Sequence, residues 1–292
     1  MLYIVLTITI SVLLLLVLKA FQKYGVNSLV ALVYNYISAG LTGILFLNSG
    51  ISIKAIFSSE WIFICIPLGA LFISIFYLIA QTAQKISIST ASVANKMSVV
   101  MPVLFSVIFL DQHLSFLKIL GIVSALVAVY LSTYSSTKRS VNAGLIWLPI
   151  LVFVGSGLID ITINASNEFY IKSKDESALF SICTFLTAFI VGGFILTYNV
   201  SVKKSLTIKD VFALKNIIGG IILGVPNYFS IYFIFKSLDA HVFQSAQLFP
   251  VLNLSNVALS AFLGWIVFKE KLSPLNLAGI ILAIISILLI AL

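Results

Sequence analysis

Two ionisable residues stand inside stretches of chain that otherwise carry no charge: Lys96, within Ala94-Asn95-Lys96-Met97-Ser98, and Asp160, within Gly155-Ser156-Gly157-Leu158-Ile159-Asp160. At the centre of a bilayer a charge costs about 2.5–3.5 kcal/mol unless it is paired or hydrated. An isolated buried carboxylate is protonated or expelled. Both side chains are therefore expected to face an interior cavity, as partners across the interface between the two halves of the chain. Lys96 would offer a counter-charge to a carboxylate or phosphate, and Asp160 would take up a proton when its partner is engaged by a ligand. Two plainer readings stand beside this one: a static ion pair that locks two helices, and a lysine that snorkels to the interface along its stem.

Further polar side chains fall inside apolar runs. Asn95 adjoins Lys96, and Asn164 follows Asp160 by one helical turn. Asn35 lies between Tyr34 and Tyr36, Gln81 precedes Gln84, Asn227 and Tyr228 follow Pro226, and Gln244 and Gln247 lead into Pro250. A proline inside a span removes the bond to the residue four back, so Pro102 is expected to free the carbonyl of Ser98 and Pro250 that of Ala246. These groups form the candidate substrate-binding set; hydrogen bonding between helices is the default alternative. No metal or cofactor is expected. His113 and His241 stand apart without an HExxH pattern, the two cysteines form no CxxC, and no nucleotide-binding loop occurs. Enzyme chemistry is disfavoured as well, since only one aspartate lies well inside a span and both histidines lie at span ends, away from a serine nucleophile within the membrane.

The elements that must position these groups follow from composition. Hydrophobic residues make up 61% of the 292 and charged residues 9%, with a mean hydropathy of +1.19, whereas soluble domains carry about 25% charge. That excludes a water-soluble fold. The net charge of +8 comes from basic residues flanking apolar runs, which suits topology signals and lipid headgroups rather than nucleic acid. Apolar runs near 2–19, 28–47, 61–82, 89–110 and 115–134 are followed by runs near 143–168, 178–198, 213–235, 242–267 and 275–292. Their length and polarity predict helices, not barrel strands. Trp61, Trp147 and Trp265 fall near the ends of these runs, where an indole suits the interface. The first run has no basic leader and no small-residue cleavage site, and reads as a retained span.

A matching signature ends each group of five. Leu114, Ser115, Leu117, Gly121, Ile122, Ala125 and Leu131 recur at constant spacing as Leu272, Ser273, Leu275, Gly279, Ile280, Ala283 and Leu289. Five is odd, so if each half is one repeat, equivalent helices cross the membrane in opposite directions. The expectation is an all-α polytopic membrane protein of about ten transmembrane helices in two inverted five-helix repeats, 1–134 and 142–292. In that plan the ligand site lies between the repeats near the midplane.

With Asp111-Gln112-His113-Leu114-Ser115 and Gly121 in the first half, and Lys269-Glu270-Lys271-Leu272-Ser273 and Gly279 in the second, together with Pro102 and Pro250, the chain resembles the EamA-like ten-span members of the drug/metabolite transporter superfamily. Glu270 fits the family motif and Gln112 departs from it. The resemblance implies a secondary transporter and, as substrate class, amino acids, their derivatives or similar metabolites. The reading is a permease of the bacterial inner membrane that moves a small polar or amphipathic molecule by alternating access, with membrane lipids and a coupling proton as partners. A lipid-flipping or non-transporting membrane subunit of the same fold is the alternative. The distribution of basic residues favours both termini outside, whereas the resemblance implies both termini in the cytoplasm.

Overall fold

A computed structural model describes residues 2–47, 56, 59–101, 115–133, 143–171, 173–239 and 245–291. Among these the chain is helical, without strands. The helices are α1 (Leu2–Lys23), α2 (Ser28–Phe46), α3 (Ile62–Lys85), α4 (Ile88–Met97), α5 (Phe116–Thr133), α6 (Trp147–Phe169), α7 (Lys174–Ser201), the single-turn α8 (Ile208–Val211), α9 (Leu214–Asp239), α10 (Ser245–Phe268) and α11 (Pro274–Ala291). Among the described residues five segments are long and apolar enough to cross a membrane: Leu2–Lys23, Ser28–Phe46, Ile62–Lys85, Glu176–Ser201 and Ile208–Ile234. The apolar stretches of α5, α6, α10 and α11 are shorter. Pro102, Asp111 to Leu114, the polar stretch Ser135 to Val141, and His241 lie outside the described residues.

One expected run is interrupted. The sequence predicts a helix over 89–110, but α4 stops at Met97 and the chain turns at residues 98 and 99. Pro102 has no N–H to offer the carbonyl four residues back. The Ser98 carbonyl nevertheless accepts from the Met101 N–H at 2.8 Å. It is therefore not the free acceptor that the proline alone implies.

Packing divides the chain into two units. The first comprises Met1–Lys19, Leu78–Asp160 and Ser230–Leu292; the second comprises Ala20–Tyr77 and Ile161–Phe229. Within the first, α11 packs most extensively on α5, and α4 packs on α5, α10 and α11. The repeated Leu-Ser pair has a physical reason here. The Ser273 hydroxyl accepts from the Asn276 N–H at 3.1 Å, and the Ser115 hydroxyl accepts from the Lys118 N–H at 3.3 Å. Each serine thus satisfies an otherwise orphaned donor in the first turn of its helix. Asn276, in the first turn of α11, also donates to the Leu131 carbonyl near the end of α5 at 3.4 Å, so these two helices run in opposite directions.

In the second unit close approach is set by small residues, as expected where lipid removes the hydrophobic drive between helices. Gly220 lies against the Ala31 carbonyl and Tyr34 of α2, and Gly224 against the Asn35 carbonyl and Ser38. Above them, Asn216 accepts from the Asn27 N–H at 2.8 Å and donates to the Asp210 carbonyl at 2.7 Å. Asn216, Gly220, Gly224 and Asn227 thus form a single stripe of α9 that seats on α2. A Cβ at Gly224 would clash with the Asn35 carbonyl, while one at Gly193 meets nothing within 4 Å among the described residues. Gly224→Ala is expected to destabilise by about 1–3 kcal/mol, whereas Gly193→Ala is neutral or stabilising by up to about 1 kcal/mol through helix propensity. Thermal unfolding of the two variants in detergent checks the contrast.

Trp61 departs from the interfacial reading. It is 1% exposed and packs edge-on against Phe180, whereas Trp147 and Trp265 are exposed.

Candidate functional site

Asp160 sits 13 residues after Trp147, the first residue of α6, and nine before Phe169, the last. At 1.5 Å per residue that is roughly 20 Å and 13 Å from the two ends. Its Oδ2 is 3.0 Å from the hydroxyl of Ser98, which follows directly on α4. Glycine makes this approach possible, because a Cβ at Gly157 would strike Met101 at 2.3 Å and come within 3.4 Å of the Ser98 carbonyl. One turn before Asp160, Ser156 is buried with its hydroxyl unpartnered among the described residues.

The Ser98 hydroxyl has two acceptors in reach, Asp160 Oδ2 at 3.0 Å and the Asn95 carbonyl at 2.6 Å. It carries one proton. If that proton goes to the nearer carbonyl, the carboxyl group must supply the proton of the longer contact. The geometry therefore accommodates a chain from a protonated Asp160 through Ser98 to Asn95, as well as an ionised Asp160 that receives the Ser98 proton.

Lys96 acts on Asp160 electrostatically, but no direct ion pair joins them. Among the described residues the one direct ion pair is Lys19–Glu270. The anticipated lysine–aspartate bridge is thus replaced by the Ser98 hydrogen bond, because the turn after Met97 brings the serine to the carboxylate first. Lys96 itself is half-buried in the last turn of α4, where the negative end of the helix dipole favours an ammonium.

The second unit holds four of the other candidates, Asn35, Asn164, Asn227 and Tyr228. Asn35 and Asn227 are buried and joined by a 3.2 Å bond from Asn227 Nδ2 to Asn35 Oδ1. That is the interhelical role intramembrane asparagines commonly take. Asn35 Nδ2 nonetheless has no partner among the described residues, and a buried donor of this kind is costly unless a water or ligand meets it. Tyr228 is buried near Gly43, its ring tilted against Phe46 and edge-on to Phe229. Next to Asn35 in the chain, the Tyr36 hydroxyl is also buried without a partner among the described residues, its ring enclosed by Phe72, Phe76 and Phe185.

Of the remaining candidates, Asn95 is half-buried beside Lys96, and Gln81 is half-buried on α3 in the first unit. Asn164 follows Asp160 on α6, and Gln247 lies in the first turn of α10. Gln244 lies outside the described residues. Among the described residues no three His, Cys, Asp or Glu side chains gather as a metal site.

Sequence reasoning missed a second ionic centre in the first unit. Lys19, read as a flanking charge, is embedded, its ammonium 3.4 Å from Glu270 Oε1 and donating also to the carbonyls of Ala83 and Gln84 at the end of α3. The same Glu270 oxygen accepts from the Ile88 N–H at 2.9 Å, at the start of α4. Gln84 donates to the Leu18 carbonyl at 2.6 Å. Five bonds thus tie α1, α3, α4 and the α10–α11 connection together. The signal available was the lone carboxylate among Lys269, Glu270 and Lys271.

No family model matches the chain. A protein of Haemophilus influenzae (strain ATCC 51907 / DSM 11121 / KW20 / Rd), described only as uncharacterized, is 27% identical over 227 residues, covering 77% of this chain and 73% of its own. One solved structure, described only as the crystal structure of a protein, aligns over 98% of both chains with a TM-score of 0.52 and 14% identity. This is a likeness of fold.

Proposed function

We propose that the chain is a secondary transporter of the bacterial inner membrane that moves a small polar or amphipathic metabolite, such as an amino acid or a derivative, by alternating access with Asp160 as the proton carrier. The observation that carries this reading is the Asp160–Ser98–Asn95 contact. It places a titratable carboxyl deep in an apolar helix beside a lysine, and leaves the proton two possible positions. Ionisable groups at that depth mark ion and substrate pathways by default. Lys96, not consumed by a direct bridge, is available as counter-charge to a substrate carboxylate.

The architecture proposed with it is ten crossings in two inverted repeats, 1–134 and 142–292. Support comes from α5 and α11, which carry the matching signature, share serine caps and run in opposite directions. The resemblance to the EamA-like transporters supplies the substrate class. A thermal-shift screen of amino acids and related metabolites on the purified protein, followed by counterflow in liposomes, tests the reading. A hit that exchanges across the bilayer supports it. Hits that bind without exchange, or no exchange by any amino acid or derivative in the set, would overturn it.

A further inference from the structure

We propose that the groove between α10 and α11 is a binding site for one anionic phospholipid. The groove has a volume of about 1000 Å³, and its wall includes Phe262, Trp265, Ile266, Leu277 and Ile281. All five side chains are about half exposed, between 50% and 58%. It runs along α10 from Ala258 to Lys269, the residue just past the helix end, roughly 16 Å at the helical rise. That is about half the 30 Å hydrocarbon core of a bilayer, the depth of a single leaflet.

Lys269 and Lys271 stand at one end of the groove, both exposed. The third charge there, Glu270, is already engaged by Lys19 and the Ile88 N–H, so among the described residues the mouth is left with two uncompensated positive charges. An apolar channel one leaflet deep, ending in two ammonium groups, fits an acyl chain with a phosphate above it and disfavours a zwitterionic or neutral headgroup. Backbone geometry sharpens the point. Lys269 adopts φ +53°, a left-handed conformation that glycine holds without strain and a lysine does not. It closes the end of α10 while the Glu270 N–H returns to the Gly264 carbonyl at 3.2 Å.

The test uses the full chain in detergent and needs no transport substrate, so it stands or falls apart from the transporter reading. Phosphatidylglycerol and phosphatidylcholine with identical acyl chains are compared by native mass spectrometry and by thermal shift. Phosphatidylglycerol is expected to be retained at a stoichiometry of one and to raise the unfolding midpoint more than phosphatidylcholine. The double variant Lys269→Gln/Lys271→Gln should bind it roughly 30-fold more weakly. Lys203→Gln/Lys204→Gln, which removes the same charge from residues that do not line the groove, should leave binding unchanged. Equal retention of the two lipids, equal loss in both double variants, or displacement of the lipid by inorganic phosphate would overturn the proposal.

Discussion

Under the proposed proton-coupled transport, Asp160→Asn is expected to abolish the response of substrate movement to an imposed pH gradient while the protein still folds and still exchanges substrate in counterflow. The asparagine amide donates to the Ser98 hydroxyl, which donates onward to the Asn95 carbonyl, so the variant holds the arrangement of the protonated carboxyl permanently. It has no proton to give up. Gradient-driven accumulation is expected to fall to the level of passive exchange. Ser98→Ala should act more mildly on the same process, because it removes one bond to a charged group, a contribution of about 1.5–3 kcal/mol, or roughly 10- to 150-fold in rate or affinity. Proteoliposomes at several internal and external pH values make the measurement. Undiminished, still pH-dependent transport by Asp160→Asn would remove the carboxyl from the coupling scheme.

The second large effect belongs to Lys19 and Glu270. Their side chains are 14% and 9% exposed, so breaking the pair from one side strands a charge in a poorly hydrated place. Glu270→Ala is expected to cost about 3–5 kcal/mol of stability, the greater because it also removes the acceptor for the Ile88 N–H at the start of α4. Lys19→Met alone leaves the carboxylate with that N–H and should cost less. The double variant Lys19→Met/Glu270→Gln should recover much of the loss, since no charge is stranded and the glutamine oxygen can still accept from Ile88. A double-mutant cycle on the unfolding midpoint in detergent reads these differences. Additive losses would show that the two residues act separately.

How much of this was legible in the sequence differs from element to element. The helices were, because the bilayer leaves few alternatives: residues 28–47 and 61–82 were expected as spans, and α2 and α3 cover 28–46 and 62–85. The stop at Met97 was not, since periodicity cannot show that Ser98 folds back onto its own helix end. Asp160 is half-buried near the middle of α6, and charge alone points to the lysine as its direct partner where the structure has Ser98. A serine, common at packing seams, gives no comparable signal. Lys19 shows the converse error: a lysine at the edge of an apolar run looks like a topology signal, and only the fold shows that four segments meet around it. Asn35 and Asn227 lay within the expected set, but that they hydrogen-bond each other depends on Gly220 and Gly224, whose role appears only when α9 is laid on α2.

The sealed indole of Trp61 makes the second unit optically separable from the rest. Because Trp147 and Trp265 lie open to their surroundings, brominated acyl chains should extinguish their emission, leaving a blue-shifted residual from the ring beside Phe180. That residual gives the native chain an intrinsic reporter of rearrangement in the second unit, without any dye or introduced cysteine.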